Sequence, residues 1–337
     1  MARVPRWTPD PDRFPRFALL RAPSPLHHLP RLSAAIGHEV DVWIKREDLL
    51  PLAFGGNKLR NLEFLVGAAL QAGADTLVTS GRRWSNHARL TAAAGAVAGL
   101  PVHVVLSGPP TDPPGPGVRM DRLLGATVHQ AVTDDRLERE QLVDQVVSAL
   151  EASGRRPYVI DVGGSGVTGV VGQVLAAQEL LDDTKAYDLE IDVVVLPSAT
   201  GGTQAGLLAG LAAAGSSVAV RGVTVARPGV ELRPRIEAGL AAFAQASGLP
   251  AVPAAAIHLD DEALGPGYGS PTRAAEEATH LLATTEGILL DPIYTAKGLA
   301  GLVAMVGRGE LDGRRIVFWH SGGGPGLFEP LDDLPAG

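Results

Sequence analysis

Residues 54–65 read FGGNKLRNLEFL, two glycines and an asparagine directly before a lysine. Leu62, Leu65, Val66, Ala69 and Leu70 follow at spacings of three and four, the period of an amphipathic helix. Asn57 then stands at the N-cap. A lysine opening a helix faces the positive end of the helix dipole, so Lys58 should have a lowered pKa, which suits a nucleophile or a base. Gly55 and Gly56 supply backbone that takes unusual dihedrals and admits close approach. From this segment alone, an exposed lysine in a surface loop is the alternative.

Further clusters lie where a strand runs into a loop or helix. SGRRWSNHAR (80–89) offers the Ser85 hydroxyl, the Asn86 amide and the His87 imidazole at the mouth of a helix, a set able to hold a carboxylate or a phenolic oxygen. Helix capping by Ser85 or Asn86 is the plainer reading. In PSATGGTQAGLLAG (197–210), Thr200, Gly201, Gly202 and Thr203 separate an apolar strand from a helix, the arrangement in which backbone N–H groups cradle a phosphate. The loop lacks the Gly-Lys-Ser/Thr ending and the GxGxxG spacing of nucleotide loops, although any tight turn needs glycine. GYGSPT (267–272) and LDPIYTAKGLAGL (290–302) place Tyr268 and Tyr294 in or beside loops, with simple packing as the alternative for each. FWHSGGGPGLF (318–328) ends a strand in three glycines, read here as close approach to a flat ligand, with Ser321 able to bond a ring nitrogen or a carboxylate. A phosphate, an aldehyde for a lysine and a flat ring together describe pyridoxal 5'-phosphate.

The elements that must carry these clusters alternate along the chain. β-rich runs occur at 40–45, 76–81, 102–108, 158–161, 193–198, 220–226 and 316–322, with alanine- and leucine-rich helical stretches such as HARLTAAAGAVAGL and GGTQAGLLAGLAAAG between them. This is an α/β pattern with mainly parallel sheets, whose ligands sit beyond the carboxyl ends of the strands. GPPTDPPGPGVRM (108–120) reads as a loop.

A chain of 337 residues accommodates about two domains. Its 29 basic and 37 acidic residues give a net charge of -8 with no basic stripe, so nucleic acid is not an expected partner. With no cysteine, a disulfide, a cysteine-zinc site and a thiol nucleophile are excluded, and no metal is expected. The N-terminal MARVPRWTPDPDRFPRF has no signal-peptide apolar core, and no apolar run reaches the roughly 18 residues of a membrane span. A cytoplasmic location without a membrane partner is expected.

In order, KREDLLPLAFGGNKLRNLEFL, SNHAR, the GGT loop, GYG, LDPIYT and HSGGGPGLF resemble the D-cysteine desulfhydrase and 1-aminocyclopropane-1-carboxylate (ACC) deaminase family. These are pyridoxal-phosphate enzymes of the tryptophan synthase β-subunit fold, and the resemblance runs from about Leu26 to Phe328. It implies two mainly parallel open sheets: a large domain from residues 1–60 and 171–337, a small domain inserted at 61–170, and the cofactor in the cleft between them. It also implies that Lys58 links to the cofactor and shuttles the Cα proton, and that Asn86 bonds the phenolic oxygen. Ser85 and His87 would face the substrate carboxylate. The Thr200, Gly201, Gly202 and Thr203 loop, with Gln204, would hold the phosphate. Tyr268 and Tyr294 would line the substrate side, and Thr295 and Ser321 both remain candidates at the pyridine nitrogen. Either hydroxyl would leave that nitrogen largely unprotonated.

The implied activity is α,β-elimination from a small amino acid, giving pyruvate and ammonia, by a homodimer. ACC deaminases have a glutamate where this chain has Thr295, which disfavours ring opening. Elimination from L-cysteate, β-replacement, a catalytically silent cofactor-binding homologue and a nucleotide-binding α/β protein are the rivals. The chain departs from the family in having Trp84 for a glutamine, Asn61 for a second lysine near the phosphate, and Gly324 for Thr or Leu. Trp84 and Gly324 are therefore expected to reshape the substrate pocket. Arg82 or Arg83 can read a second acidic group such as a sulfonate or a carboxylate, unless both point to solvent.

Overall fold

The computed structural model describes residues 6–331, which leaves the first five residues of the proline-rich N-terminal segment outside it. In chain order the elements are β1 (Leu26–His28), α1 (Pro30–Ile36), β2 (Asp41–Arg46), α2 (Lys58–Gln71), β3 (Thr76–Arg82), α3 (Asn86–Ala98), β4 (Val102–Ser107), α4 (Pro116–Leu123), β5 (Thr127–Gln130) and α5 (Arg136–Ala152). They continue with β6 (Pro157–Ile160), α6 (Val167–Ala186), β7 (Val193–Ser198), α7 (Gly202–Ala213), β8 (Ala219–Thr224), α8 (Gly229–Ser247), β9 (His258–Asp260), α9 (Arg273–Glu286), α10 (Thr295–Gly307) and β10 (Arg315–His320).

Two sheets form. One has six strands in the order β1-β2-β10-β7-β8-β9, and the other four in the order β5-β4-β3-β6. Only β1 pairs antiparallel, so the mainly parallel α/β architecture expected from the alternating pattern is observed. The six-stranded sheet draws its strands from both ends of the chain, and every strand of the four-stranded sheet lies within 61–170. The central strand β7 is buried at all six positions, as a parallel strand covered on both faces must be. Helices α2 and α6, each straddling a limit of the 61–170 segment, pack on one another.

Three short strands carry no clear sequence signal: β1, β5 and β9. All three are edge strands; β1 and β9 have three residues, too few to display a period of two, and the four of β5, TVHQ, hold a single apolar residue, unlike the YVI of β6. The stretch 108–120 is a loop only as far as Gly115; Pro116 then opens α4, since proline at the first helical position forfeits no hydrogen bond.

The glycines of the two outer loops meet each other. A Cβ on Gly322 would lie 2.6 Å from the Cα of Gly56, and one on Gly323 would lie 2.4 Å from Asp291 Oδ2. Gly322 and Gly323 therefore answer to the approach of protein groups, whereas the sequence reading assigned all three glycines to a flat ligand; Gly324 has open space around it. Backbone bonds complete the junction: Asn57 N–H donates to Ser321 O (3.0 Å) and Gly56 N–H to Glu47 O (2.8 Å).

Gly322 and Gly313 both have positive φ, but only Gly322 is sterically enclosed. Substituting either by alanine should meet the left-handed backbone cost, about 1–2 kcal/mol. Gly322→Ala adds the clash with Gly56. Its denaturation midpoint should fall clearly below that of Gly313→Ala, and equal midpoints would show that the contact is not tight.

Candidate active site

A cavity of about 420 Å³ opens where β3, β6, β7 and β10 end, and its lining comes from both sheets. Lys58 lies in it, at the first position of α2. Burial pushes its ammonium down to about 8, against the opposing pull of the Glu47 carboxylate. Desolvation, more than the helix dipole invoked from sequence, is the main cause. Asn57 does not cap α2 through its side chain. It instead donates from Nδ2 to Thr203 Oγ1 (2.9 Å), tying the lysine loop to the α7 loop, while Gln173 Nε2 donates to its carbonyl (2.9 Å).

Beneath Lys58 lies a buried charge cluster that motif reading passed over. Arg60 bonds Glu47 and Glu179, and Lys45 pairs with Glu179 (2.7 Å) and Asp183 (2.5 Å). Trp319 Nε1 donates to the second Glu47 oxygen (2.9 Å). Burial opposes ionisation of Glu179, yet Arg60 and Lys45 together hold its pKa down to about 2. These pairs join β2, α2, α6 and β10 in the low-dielectric core, where a carboxylate without a partner would be costly.

The β3–α3 junction brings three expected residues, Ser85, Asn86 and His87, to the cavity. Ser85 caps α3, accepting from Ala88 N–H (3.2 Å), and still lines the cavity. Arg89 has only donors, so its contact with Asn86 (3.0 Å) fixes Oδ1 as the acceptor and leaves the Nδ2 hydrogens for another group. His87 is buried. Thr79 spends its one hydroxyl proton on Ile160 O (2.8 Å), so its contact with His87 Nε2 (3.0 Å) must be an N–H donated by the imidazole. Nδ1 is therefore an acceptor, and it has no partner among the described residues. Burial and the nearby Lys58 charge push the His87 pKa down to about 3. His87 lines the cavity as expected, but a neutral ring with this tautomer cannot donate to a carboxylate from Nδ1.

At α7 the first internal bond is Ala205 N–H to Gly201 O (2.9 Å), so the N–H groups of Gly202, Thr203 and Gln204 have no partner within the helix. Thr200, Gly201 and Thr203 line the cavity. The Gln204 side chain points away, donating to His258 O (2.9 Å), so of Gln204 only the backbone faces the turn. Thr200 is held by Ser165 (2.6 Å), and Gly202 packs against Ser165. That partner loop, VGGSG at 162–166, was missed, although its glycines between a strand and a helix are the signal used at the other loops. Asn61, expected near the phosphate, is buried and donates to Gly164 O (2.8 Å).

Tyr268 and Tyr294 line the cavity with their hydroxyls hydrogen-bonded to each other. Burial raises both phenols above their usual pKa, Tyr294 the more, so both stay protonated at neutral pH. Trp84 does not line the cavity; it is buried behind Tyr268 in a cluster with Ile293 and Leu331. Gly324 is also outside the lining. Of the two hydroxyls considered for the pyridine nitrogen, Ser321 lines the cavity, whereas Thr295 is buried and donates to Asp291 Oδ2 (2.6 Å). Neither arginine points freely to solvent. Arg82 lines the cavity paired with Asp134, and Arg83 is buried, donating to Pro330 O (2.6 Å).

The assigned tautomer can be checked directly. The His87 ring signals should not titrate until pH approaches about 3. Thr79→Val strands the buried Nε2–H and should remove about 1–3 kcal/mol of stability. Titration of His87 near pH 6.5 would overturn the lowered pKa, and nitrogen shifts showing the proton on Nδ1 of the neutral ring would overturn the tautomer.

The residues present suit pyridoxal phosphate: a lysine of lowered pKa, a helix N-terminus with unpartnered N–H groups and glycines, and a hydroxyl at the end of β10. The comparisons agree. The family model described as pyridoxal-phosphate dependent enzyme matches residues 18–322. The chain is 42% identical over 320 residues to D-cysteine desulfhydrase of Salmonella typhi, covering 94% of this chain and 96% of that one. Its structure is similar to that of an ACC deaminase homologue, with a TM-score of 0.87, 34% identity and 94% of each chain covered. The fold is shared with a threonine deaminase, with a TM-score of 0.66, 22% identity and 93% of this chain and 96% of that one covered. A match over most of the chain, joined to a cavity suited to the cofactor, places this protein in the family of pyridoxal-phosphate-dependent enzymes.

Proposed function

We propose that the protein is a lyase that converts D-cysteine, or a close analogue, and water into pyruvate, ammonia and sulfide. The observation that carries this reading is the convergence of Lys58, Asn86, the α7 turn, Ser321 and the tyrosine pair on one cavity, in a chain 42% identical to a D-cysteine desulfhydrase. When bound, pyridoxal phosphate supplies the electron sink that lets a Cα proton leave. Lys58 holds the cofactor and takes that proton; a pKa near 8 leaves a useful share of neutral amine at working pH. Asn86 Nδ2 donates to the phenolic oxygen, Ser321 accompanies the ring nitrogen, and the N–H groups of Gly202, Thr203 and Gln204 hold the phosphate. Ser85 orients the substrate carboxylate. The neutral Nδ1 of His87 accepts from a protonated amine passing through the site. Tyr268 and Tyr294 stand on the substrate side as a proton source for the leaving sulfur. Homodimer assembly in the cytoplasm belongs to the same proposal and rests on the family resemblance alone.

An absorption spectrum, followed by addition of D-cysteine, L-cysteine and ACC, tests the reading. A visible band that shifts with D-cysteine and releases pyruvate and sulfide supports it; 2-oxobutyrate from ACC would move the assignment to ring opening. Lys58→Ala should lose the band and turnover together, and undiminished turnover would sink the proposal. Below a pKa of about 8 Lys58 is an unreactive ammonium. Cofactor capture by the apoprotein should therefore quicken about tenfold per pH unit and level off above 8, whereas an ordinary lysine would keep gaining toward 10.5.

Tyr294→Phe removes one member of the hydroxyl pair without exposing new space. It should keep the visible band and lower kcat by about 10²–10⁴-fold, the usual contribution of a general acid. Unchanged kcat would reassign the pair to packing.

A further inference from the structure

The cavity carries far more positive charge than a cofactor and a monoanionic substrate need. Besides Lys58 its lining includes Arg82, Arg136, Arg139, Arg227 and Arg235, against only Asp134 and Glu231, in a chain whose net charge is -8. The arginines come from both sides of the cleft: Arg82 from β3 and Arg136 and Arg139 from α5, facing Arg227 before α8 and Arg235 within it. Asp134 answers Arg82, and Arg136 pairs with Glu140 in its own helix (2.6 Å). Arg139 and Arg227 form no ion pair among the described residues, and Glu140 and Glu231 act on them only through space. Arg139 is only 9% exposed, donates one N–H to Ser107 Oγ (3.0 Å) and pairs with no carboxylate among the described residues; its buried Nε has no partner. Arg227 has neither a hydrogen bond nor an ion pair among the described residues, and its Nε is also buried without a partner. Both feel the charge of Arg136 and lie within range of the Tyr268 phenol, on the substrate side. Burial lowers the pKa of each guanidinium, and neighbouring arginines lower it further. Facing cations in a partly desolvated cleft repel one another unless an anion sits between them.

We propose that these arginines form a subsite for a second oxyanion, so that the preferred substrate is an amino acid whose side chain ends in a sulfonate or a phosphate ester, an amino acid with a second carboxylate binding there without elimination. The proposal rests on the lyase reading above and narrows its substrate class. Guanidinium, with its planar fork of donors, is the group suited to such oxyanions. The cofactor phosphate does not account for the cluster, because the unpartnered N–H groups and Thr203 of α7 already offer it a cradle. With a sulfonate or phosphate on Cβ the same elimination balances. Lys58 takes the Cα proton, the Cβ–S or Cβ–O bond breaks with its electron pair leaving as sulfite or phosphate, and water yields pyruvate and ammonia.

The test uses the holoenzyme with both enantiomers of cysteate, O-phosphoserine and aspartate, set beside D-cysteine and serine. The readouts are the concentration that half-shifts the visible band and the KM of any substrate turned over. At least one amino acid with a second oxyanion should bind about tenfold or more tightly than serine, and the one favoured names the oxyanion. Arg139→Gln and Arg227→Gln should each weaken that preference about tenfold, as expected for loss of a charge-assisted hydrogen bond, while cofactor affinity and D-cysteine turnover stay unchanged. Equal binding of serine and all three anions, in an enzyme that shows its band and turns over D-cysteine, overturns the subsite and leaves the lyase reading standing. Variants that loosen the cofactor instead overturn it by assigning the arginines to the cofactor phosphate. Absence of the band overturns the lyase reading and the subsite with it.

Discussion

The site depends on two main-chain segments from opposite ends of the chain touching without side chains between them. Gly56 and Gly322 are in backbone contact, and Asn57 N–H bonds Ser321 O. This single junction sets the first turn of α2, and with it the place of Lys58, relative to the end of β10, which carries Ser321. A methyl group on Gly322 would fall 2.6 Å from the Gly56 Cα and push the two segments apart. Two groups that share one cavity wall keep their relative placement only if such a junction stays closed.

Below that junction the structure accepts a costly arrangement. Lys45, Arg60 and Glu47 are withdrawn from water; Arg60 pairs with Glu47, and Lys45 joins them through Glu179 and pairs with Asp183, two carboxylates that stay partly exposed. Replacing such a cluster by apolar residues often costs nothing, whereas removing one member leaves a buried charge exposed to the low dielectric. Here the pairs link the start of α2 to three other elements, and Glu47 places a negative charge near Lys58 that moderates the effect of burial. The lysine is thereby poised near neutrality without being neutralised outright.

The electrostatics of the cavity divide by depth. Above the Glu47 carboxylate, the titratable groups that share the cavity lining nearest Lys58 are neutral: His87 cannot charge at ordinary pH, and the two phenols stay protonated. Guanidinium groups from both sides line the rest of the cleft. A neutral inner region lets one lysine change protonation state without a competing titration, and a cationic region beside it attracts anions by long-range force.

Much was readable from the residues alone. The seven clear strands, the helices after Lys58, Ser85 and Gly201, and the cofactor type follow from periodicity, glycine-to-helix junctions and the collinear order of motifs, all local properties of the chain. Tertiary structure decided what depends on partners distant in sequence. It set the edge strands β1, β5 and β9, too short or too polar to show a pattern. It turned Asn57 from a cap into a tie to Thr203, moved Gln204 and Thr295 away from the cavity lining, and put Trp84 behind Tyr268. It also brought Arg139 and Arg227 to one cleft from segments that carry no motif. A sequence shows which groups are available; which donor meets which acceptor, and which charge is left without an answer, is settled only when the folded chain removes water from some of them and not from others.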